Sequence, residues 1–275
     1  MRKLLVLTFV LAASVSALGD EPVKPKLGPE ATPITANRDY FRTAPGDDYW
    51  MLAAFYVPQK TSSDCSAASA TIAVNALRGL PPKSDQLVVT EDHLLKDVAD
   101  QKWSSEVVED GPGVTFDEYK NYLGETFKAE SVDIAPVKAT HLKVADDKAL
   151  TDLRAALTEI EDSGAKELML IYFNQGVVTG DWDGPHISPI GAYDQKNDKV
   201  LIMDVDREDY VPYWTSTKTL LNALVKPAPA DQGVLAGETG GYYLVSKNWA
   251  CFKTQTQVDR SAWDISTPTL SRNGE

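Results

Sequence analysis

The chain has 275 residues, 43% hydrophobic and 24% charged, enough to bury a core in one domain of about 250 residues or in two smaller ones. A formal net charge of −13 argues against nucleic acid and anionic membrane surfaces as partners. With two cysteines and three histidines, and no spacing such as CxxC or HxxxH, the sequence offers no metal site of its own and implies no cofactor that the protein must carry.

Residues 1–17 combine Arg2 and Lys3 with an apolar run from residue 4 to 15 and a small-residue pattern ending at Ala17. That is the layout of a secretory signal peptide, and it is too short for a spanning helix. Its removal takes the formal charge from −13 to −15 and implies a secreted, most simply periplasmic, protein without a membrane partner. Export to an oxidising space invites disulfides, yet only Cys65 and Cys251 are present. Either they pair or Cys65 is kept free for chemistry; the second reading is adopted here.

Residues 18–46 carry Pro22, Pro25, Pro29 and Pro33 and read as an extended arm. A catalytic domain is expected over 47–250, followed by a tail over 251–275. After an aromatic stretch at 47–57, residues 65–77 (CSAASATIAVNAL) are small and apolar nearly all round, which predicts a buried central helix. Cys65 then opens that helix, with Ser62, Ser63 or Asp64 as its cap. Free N–H groups and the positive end of the helix dipole favour an anionic sulfur there. Gln59, six residues earlier, can fold back as one oxyanion donor, with the Cys65 N–H as the other. Taken alone, the segment also fits a small cysteine in a core helix.

Gly79-Leu80-Pro81-Pro82 ends the helix. One amphipathic helix is expected over 90–103, capped by Thr90, and another over 116–130, capped by Thr115 after the Gly111-Pro112-Gly113 turn. A short strand is expected at 131–137 and a helix at 146–162; His93 and His141 have no evident partners. At 167–173 (ELMLIYF) the period changes to that of a buried strand. Segments 186–193 and 199–205 flank a turn-forming DQKND sequence and predict a hairpin. A helix at 217–225, a loop at 228–240 and a strand at 241–246 complete the chain. A helical first half before an antiparallel second half predicts an α+β fold.

Pairing in that hairpin brings His186, at the start of one strand, near Asp204, at the end of the other. A base with an orienting carboxylate would then serve Cys65 as nucleophile: Cys65 attacks a carbonyl, His186 forms the ion pair and protonates the leaving amine, and Asp204 fixes the imidazole tautomer. Singly, each residue has an ordinary structural explanation; jointly they define a catalytic set.

The order Gln59, Cys65, His186, Asp204 is that of the papain-like cysteine hydrolases. Within that clan, Gln59 with Cys65, Ser69 and Asn75-Ala76-Leu77 resembles the nucleophile helix of phytochelatin synthases. The same family is resembled by His186-Ile187-Ser188-Pro189-Ile190, Tyr193, Leu201-Ile202-Met203-Asp204-Val205, Arg207, Tyr210, Pro212 and Trp214, and by Gly113-Val114-Thr115. The resemblance spans roughly residues 50–247 and looks closest to short prokaryotic members.

It implies an acyltransferase or hydrolase acting on glutathione and related thiol peptides. A γ-glutamylcysteinyl thioester forms on Cys65, glycine leaves, and the acyl group passes to a second glutathione or to water. A divalent heavy metal such as cadmium, zinc or copper would enter as a metal–thiolate substrate. Arg207 and Tyr210 are the substrate-binding candidates; the acceptor and the oligomeric state stay open. Two other readings remain: a papain-like peptidase or amidase for another small peptide, and a silent thiol-peptide or metal-complex binding protein. Where the family carries an aromatic residue before the cysteine and a glycine after it, this chain has Asp64 and Ser66, so the Asp64 carboxylate has to point away from the sulfur. Pro185 precedes the histidine in place of a small residue. Asn174 and Gln175 occupy the place of an arginine.

Overall fold

The computed structural model describes residues 26–79 and 88–248. The expected signal peptide, the start of the arm, the Leu80-Pro81-Pro82 break, and Cys251 with the tail at 251–275 lie outside the described residues. In chain order the elements are β1 (Thr32–Pro33), α1 (Tyr40–Thr43), α2 (Asp47–Ala53), α3 (Cys65–Arg78), α4 (Glu91–Asp97), α5 (Lys102–Glu106), α6 (Phe116–Ala129) and β2 (Lys138–His141). Then come α7 (Asp147–Asp162), β3 (Glu167–Asn174), α8 (Gln175–Thr179), β4 (Pro185–Asp194), β5 (Lys199–Ile202), β6 (Tyr213–Ser216), α9 (Thr217–Val225) and β7 (Gly241–Ser246). The strands form one antiparallel sheet in the order β1-β6-β5-β4-β3-β7-β2. The fold is α+β, with most helices preceding most strands.

Strand β3 explains the layering. Every one of its residues is buried. Leu168, Leu170 and Tyr172 face the cluster built on α3 and α6, while Met169, Ile171 and Phe173 face the one built on α7 and α9. A strand covered on both faces needs no polar alternation, which is why 167–173 reads as a continuous apolar run. Helix α3 is enclosed as completely, with each residue from Ser66 to Leu77 buried. Its small side chains admit close neighbours: Ser69 donates to the Ile187 carbonyl at 3.0 Å, and the Trp103 indole donates to Ser66 at 2.9 Å. Asn75 exchanges two bonds with the Val89 backbone, and Gly79, at φ +84°, ends the helix.

Four expectations change. The helix expected over 90–103 is two helices: Val98 leaves helical geometry at ψ 134°, and Asp100 restarts the chain by accepting from the Lys102 N–H. The restart turns Trp103 into the core, stacked on Tyr122 at 4.8 Å. The strand expected at 131–137 lies at 138–141 instead, because Pro136 lacks the N–H that a ladder needs; only Ile134 forms a bridge there, to Lys247. The arm is docked from residue 28 on, with Gly28 donating to Thr179, β1 pairing with β6, and Glu30 accepting from Thr215 and Thr219. His141 is partnered, since its Nε2 meets the Thr239 carbonyl at 2.9 Å and its ring stacks on Phe116. Thr115 closes a full capping box with Glu118, and Thr90 caps α4.

Candidate active site

Hairpin register decides which face Asp204 occupies. Near the turn Ala192 stands opposite Leu201, a pairing that, continued unbroken, would set Asp204 opposite Pro189, on the face away from His186. A bulge at Gly191 shifts the register so that Ile190 stands opposite Ile202, and the Met203 N–H donates to Pro189 at 2.9 Å. Asp204 then falls beside Ser188 and diagonal to His186 on one face. A Cβ on Gly191 would stand 2.8 Å from the Met203 side chain, so the bulge sits where no larger residue fits without movement.

His186 Nε2 lies 2.9 Å from Asp204 Oδ1. Both residues are buried, and the His186 ring meets that of Phe173 in a T-shaped contact. Asp204 Oδ2 accepts from Tyr213 at 2.6 Å and Gln175 at 2.8 Å, and Oδ1 also accepts from the Asp206 N–H at 3.0 Å. Burial pushes the Asp204 carboxyl up, but the His186 charge and these donors outweigh it and hold it below its ordinary value. Burial likewise opposes charge on His186, yet the charge and hydrogen bond of Asp204, with a smaller share from Cys65, hold the imidazole well above its ordinary value. Each partner thus favours the charged form of the other. Because Nε2 is taken by Asp204, Nδ1 is the nitrogen left for the Cys65 thiol.

Cys65 stands in the first turn of α3 and forms no disulfide among the described residues. Asp64, at the N-cap position, does not cap α3 with its side chain, and it answers the question raised by its sequence position. Its carboxylate turns back to accept from the Lys60 and Thr61 N–H groups at 3.0 Å, shaping the 59–65 loop and not the sulfur's surroundings. The same loop is stitched to the acid segment: the Gln59 N–H donates to the Val205 carbonyl at 2.9 Å, and Tyr56 donates to the Asp204 carbonyl. A second loop supports it, with Thr61 donating to Val107 and Ser63 to Gly111.

Gln59, Cys65, His186 and Tyr210 line one cleft of about 620 Å³. Asp204 lies behind the imidazole. The Gln59 Oε1 is buried and makes no hydrogen bond among the described residues; half a turn about the last side-chain torsion exchanges it for the Nε2 donor. Arg207 is not among the lining residues; its guanidinium lies over the Tyr56 ring, 5.0 Å from the centroid. Tyr210 donates to Asp181 at 3.0 Å, so it offers the cleft its ring more than its hydroxyl. Gln175, in the place of the expected arginine, is committed to Asp204, and Asn174 is committed to Asp183 and the Val177 N–H. The lining is acidic, with Glu109, Asp181, Asp206, Glu208 and Asp209 against Lys60 and the His186 imidazole.

Sequence reasoning missed Tyr213, Gln175 and Tyr56 as supports of Asp204. Tyr213 carried a signal, since it sits in an aromatic pair after Pro212, nine residues beyond the acid. Gln175 had only its position at the end of a buried strand.

A thiol facing a carboxylate-held imidazole at a helix N-terminus, in an open cleft, is the constellation of a cysteine-nucleophile acyl-transfer site. A family model described as phytochelatin synthase matches residues 35–233, and the chain belongs to that family. A relative from Lotus japonicus named glutathione gamma-glutamylcysteinyltransferase 3 is 24% identical over 213 residues, covering 73% of this chain and 38% of that protein. Glutathione gamma-glutamylcysteinyltransferase of Schizosaccharomyces pombe is 33% identical over 79 residues, 29% of this chain and 18% of that protein. Glutathione gamma-glutamylcysteinyltransferase 1 of Arabidopsis thaliana is 35% identical over 79 residues, 29% of this chain and 15% of that protein. The chain thus spans well under half the length of these relatives.

Proposed function

We propose that this chain is an exported, papain-like acyltransferase that takes the γ-glutamylcysteinyl group from glutathione. The Cys65 thiolate attacks the carbonyl between cysteine and glycine. Gln59 and the Cys65 N–H take the charge that develops on the oxygen. The C–N bond breaks, glycine leaves with the proton of His186, and a thioester remains on Cys65. An amine of a second glutathione, or water, then attacks the thioester, gives its proton to His186 and frees the sulfur. Asp204 holds the imidazole tautomer throughout and is not itself protonated.

The observation that carries this reading is the alignment of Cys65, His186 and Asp204 at one cleft. The acidic lining suits the ammonium group at the γ-glutamyl end of glutathione, or a metal cation bridging two substrate thiolates, better than it suits free carboxylates. Tyr210 is proposed as a substrate wall. Arg207 is reassigned from substrate contact to holding Tyr56 against the Asp204 backbone. Hydrolysis to γ-glutamylcysteine and glycine is proposed to outweigh polymer formation, water being the most abundant acceptor.

Mature protein incubated with glutathione, with and without cadmium, is expected to release glycine, and chromatography of the products separates γ-glutamylcysteine from longer chains. Cys65→Ser should lose about 10³-fold or more of that rate, and Cys251→Ser little. Absence of glycine under both conditions would remove the proposal in favour of a peptidase of other specificity or a binding protein.

A further inference from the structure

At the end of α3 remote from Cys65, about 20 Å along a helix of this length, a histidine and two carboxylates from different elements meet. His93 and Asp97 stand four residues apart on α4, one turn above the other, and His93 Nε2 lies 3.2 Å from Asp97 Oδ2. Glu130, which ends α6, brings its Oε1 to 3.5 Å from the same nitrogen. One ligand atom from each of the three lies within 4.8 Å of the others. Around a tetrahedral Zn²⁺ with bonds of about 2.0–2.2 Å, ligand atoms stand about 3.3–3.6 Å apart. The three side chains are therefore already near the spacing that one small cation would impose.

Glu130 supplies an independent reason to expect an occupant. Its side chain is 7% exposed, and its Oε1 is buried and makes no hydrogen bond among the described residues, His93 Nε2 standing 3.5 Å away. The other oxygen is drawn towards Arg78, at 3.6 Å, which fixes the carboxylate with Oε1 aimed at His93 and Asp97. A buried carboxylate oxygen that makes no hydrogen bond is costly, and a cation shared with two neighbouring ligands removes that cost. His93 and Asp97 are 54% and 40% exposed on their side chains, which leaves an entry path and room for water at the remaining coordination positions. Imidazole beside two carboxylates selects borderline first-row ions, Zn²⁺ before Mg²⁺ or Ca²⁺, whose shells are built from oxygen.

We propose that His93 Nε2, Asp97 Oδ2 and Glu130 Oε1 bind a divalent transition-metal ion, Zn²⁺ by its ligand chemistry, which pins α4 across the ends of α3 and α6. The site is separate from the cleft and takes no part in acyl transfer. Its mechanical reach is through α4, whose first two residues, Glu91 and Asp92, lie 3.6 and 2.8 Å from Lys60 of the nucleophile loop.

The test uses the full chain carrying Cys65→Ser, so that the cleft thiol cannot hold the ion. The protein is stripped with chelator and titrated with Zn²⁺ in competition with a chromophoric chelator, without glutathione. One Zn²⁺ per chain should bind, and the melting temperature should rise with Zn²⁺ but not with Mg²⁺. Adding Asp97→Asn or His93→Ala should weaken binding at least tenfold and abolish the rise, while adding His186→Ala should change neither. Both substituted side chains at the proposed site are largely solvent-facing, so metal-free melting close to that of the parent serves as the folding check. Equal Zn²⁺ affinity in Asp97→Asn, His93→Ala and the parent would overturn the proposal. So would a chain that binds no Zn²⁺ yet melts lower on Asp97→Asn, which would mark the cluster as an imidazolium clamped between carboxylates.

Discussion

The sheet side of the cleft and its loop side treat their polar atoms differently. On the sheet side the Asp204 carboxylate accepts from His186, Tyr213, Gln175 and the Asp206 N–H, so each of its oxygens is satisfied before any substrate arrives. On the loop side the Gln59 Oε1 and both oxygens of Glu91 are buried without hydrogen bonds among the described residues. The histidine is thus oriented by a finished network, while the oxyanion donor stands at an unfinished one. A carboxamide already bonded to protein would have to break that bond to serve a developing oxyanion; an unbonded one need only rotate.

Breaking the finished side should have the largest effect. Asp204→Ala leaves four donors facing a void and a buried histidine without its counter-charge; stability should fall by about 3–5 kcal/mol and turnover by about 10³-fold or more. Denaturant unfolding and glycine release check this, and a variant within 1 kcal/mol (~1) of the parent would contradict a prebuilt network.

On the unfinished side, Gln59→Ala should lower kcat about 10²-fold with little change in KM or melting temperature, because that oxygen has no bond to lose. A melting temperature falling as far as in Asp204→Ala would place Gln59 among the structural supports.

The smallest effect concerns Glu91. Burial first, then the Asp64 charge, pushes its carboxyl from 4.5 up to about 7 against the pull of Lys60. A folded-state value above the unfolded one means stability that is fully present below about pH 4.5 and lost as pH rises through about 7. Glu91→Gln should flatten that slope and raise the melting temperature at pH 8 by a few degrees relative to the parent. An unchanged slope in calorimetry would show that Glu91 does not titrate in this window.

Elements with a local cause were readable from the sequence. Thr115 with Glu118 announces α6, and the run at 167–173 announces a strand buried on both faces. The division of 90–103 hinged on Val98 leaving the helix so that Trp103 could reach Ser66, a tertiary preference that amphipathic periodicity does not contain. Strand β6 is short and defined by its neighbours on both edges, so its four residues carry no pattern of their own. In the site, residue type and order singled out Cys65, His186, Asp204 and Gln59. Gln175, Tyr213 and the His93–Asp97–Glu130 cluster depend on distant elements meeting, and Asp97 is a ligand four residues from a histidine that a search for paired histidines passes over. Arg207 shows the converse, a charged residue in a suggestive place that the fold uses to hold a tyrosine.

The shift in pairing at Gly191 also makes residue number between His186 and Asp204 matter more than residue type. Over most of that stretch a changed side chain alters packing by degrees. Dropping or gaining a single residue in the paired segments between Gly191 and the acid, by contrast, would swing the carboxylate to the far surface of the sheet, whereas a change in the turn at 195–198 is taken up by the loop. Length variation in descendants of this chain can therefore accumulate in pairs along the strands, or freely in loops, but a lone insertion in these paired segments separates the acid from the histidine.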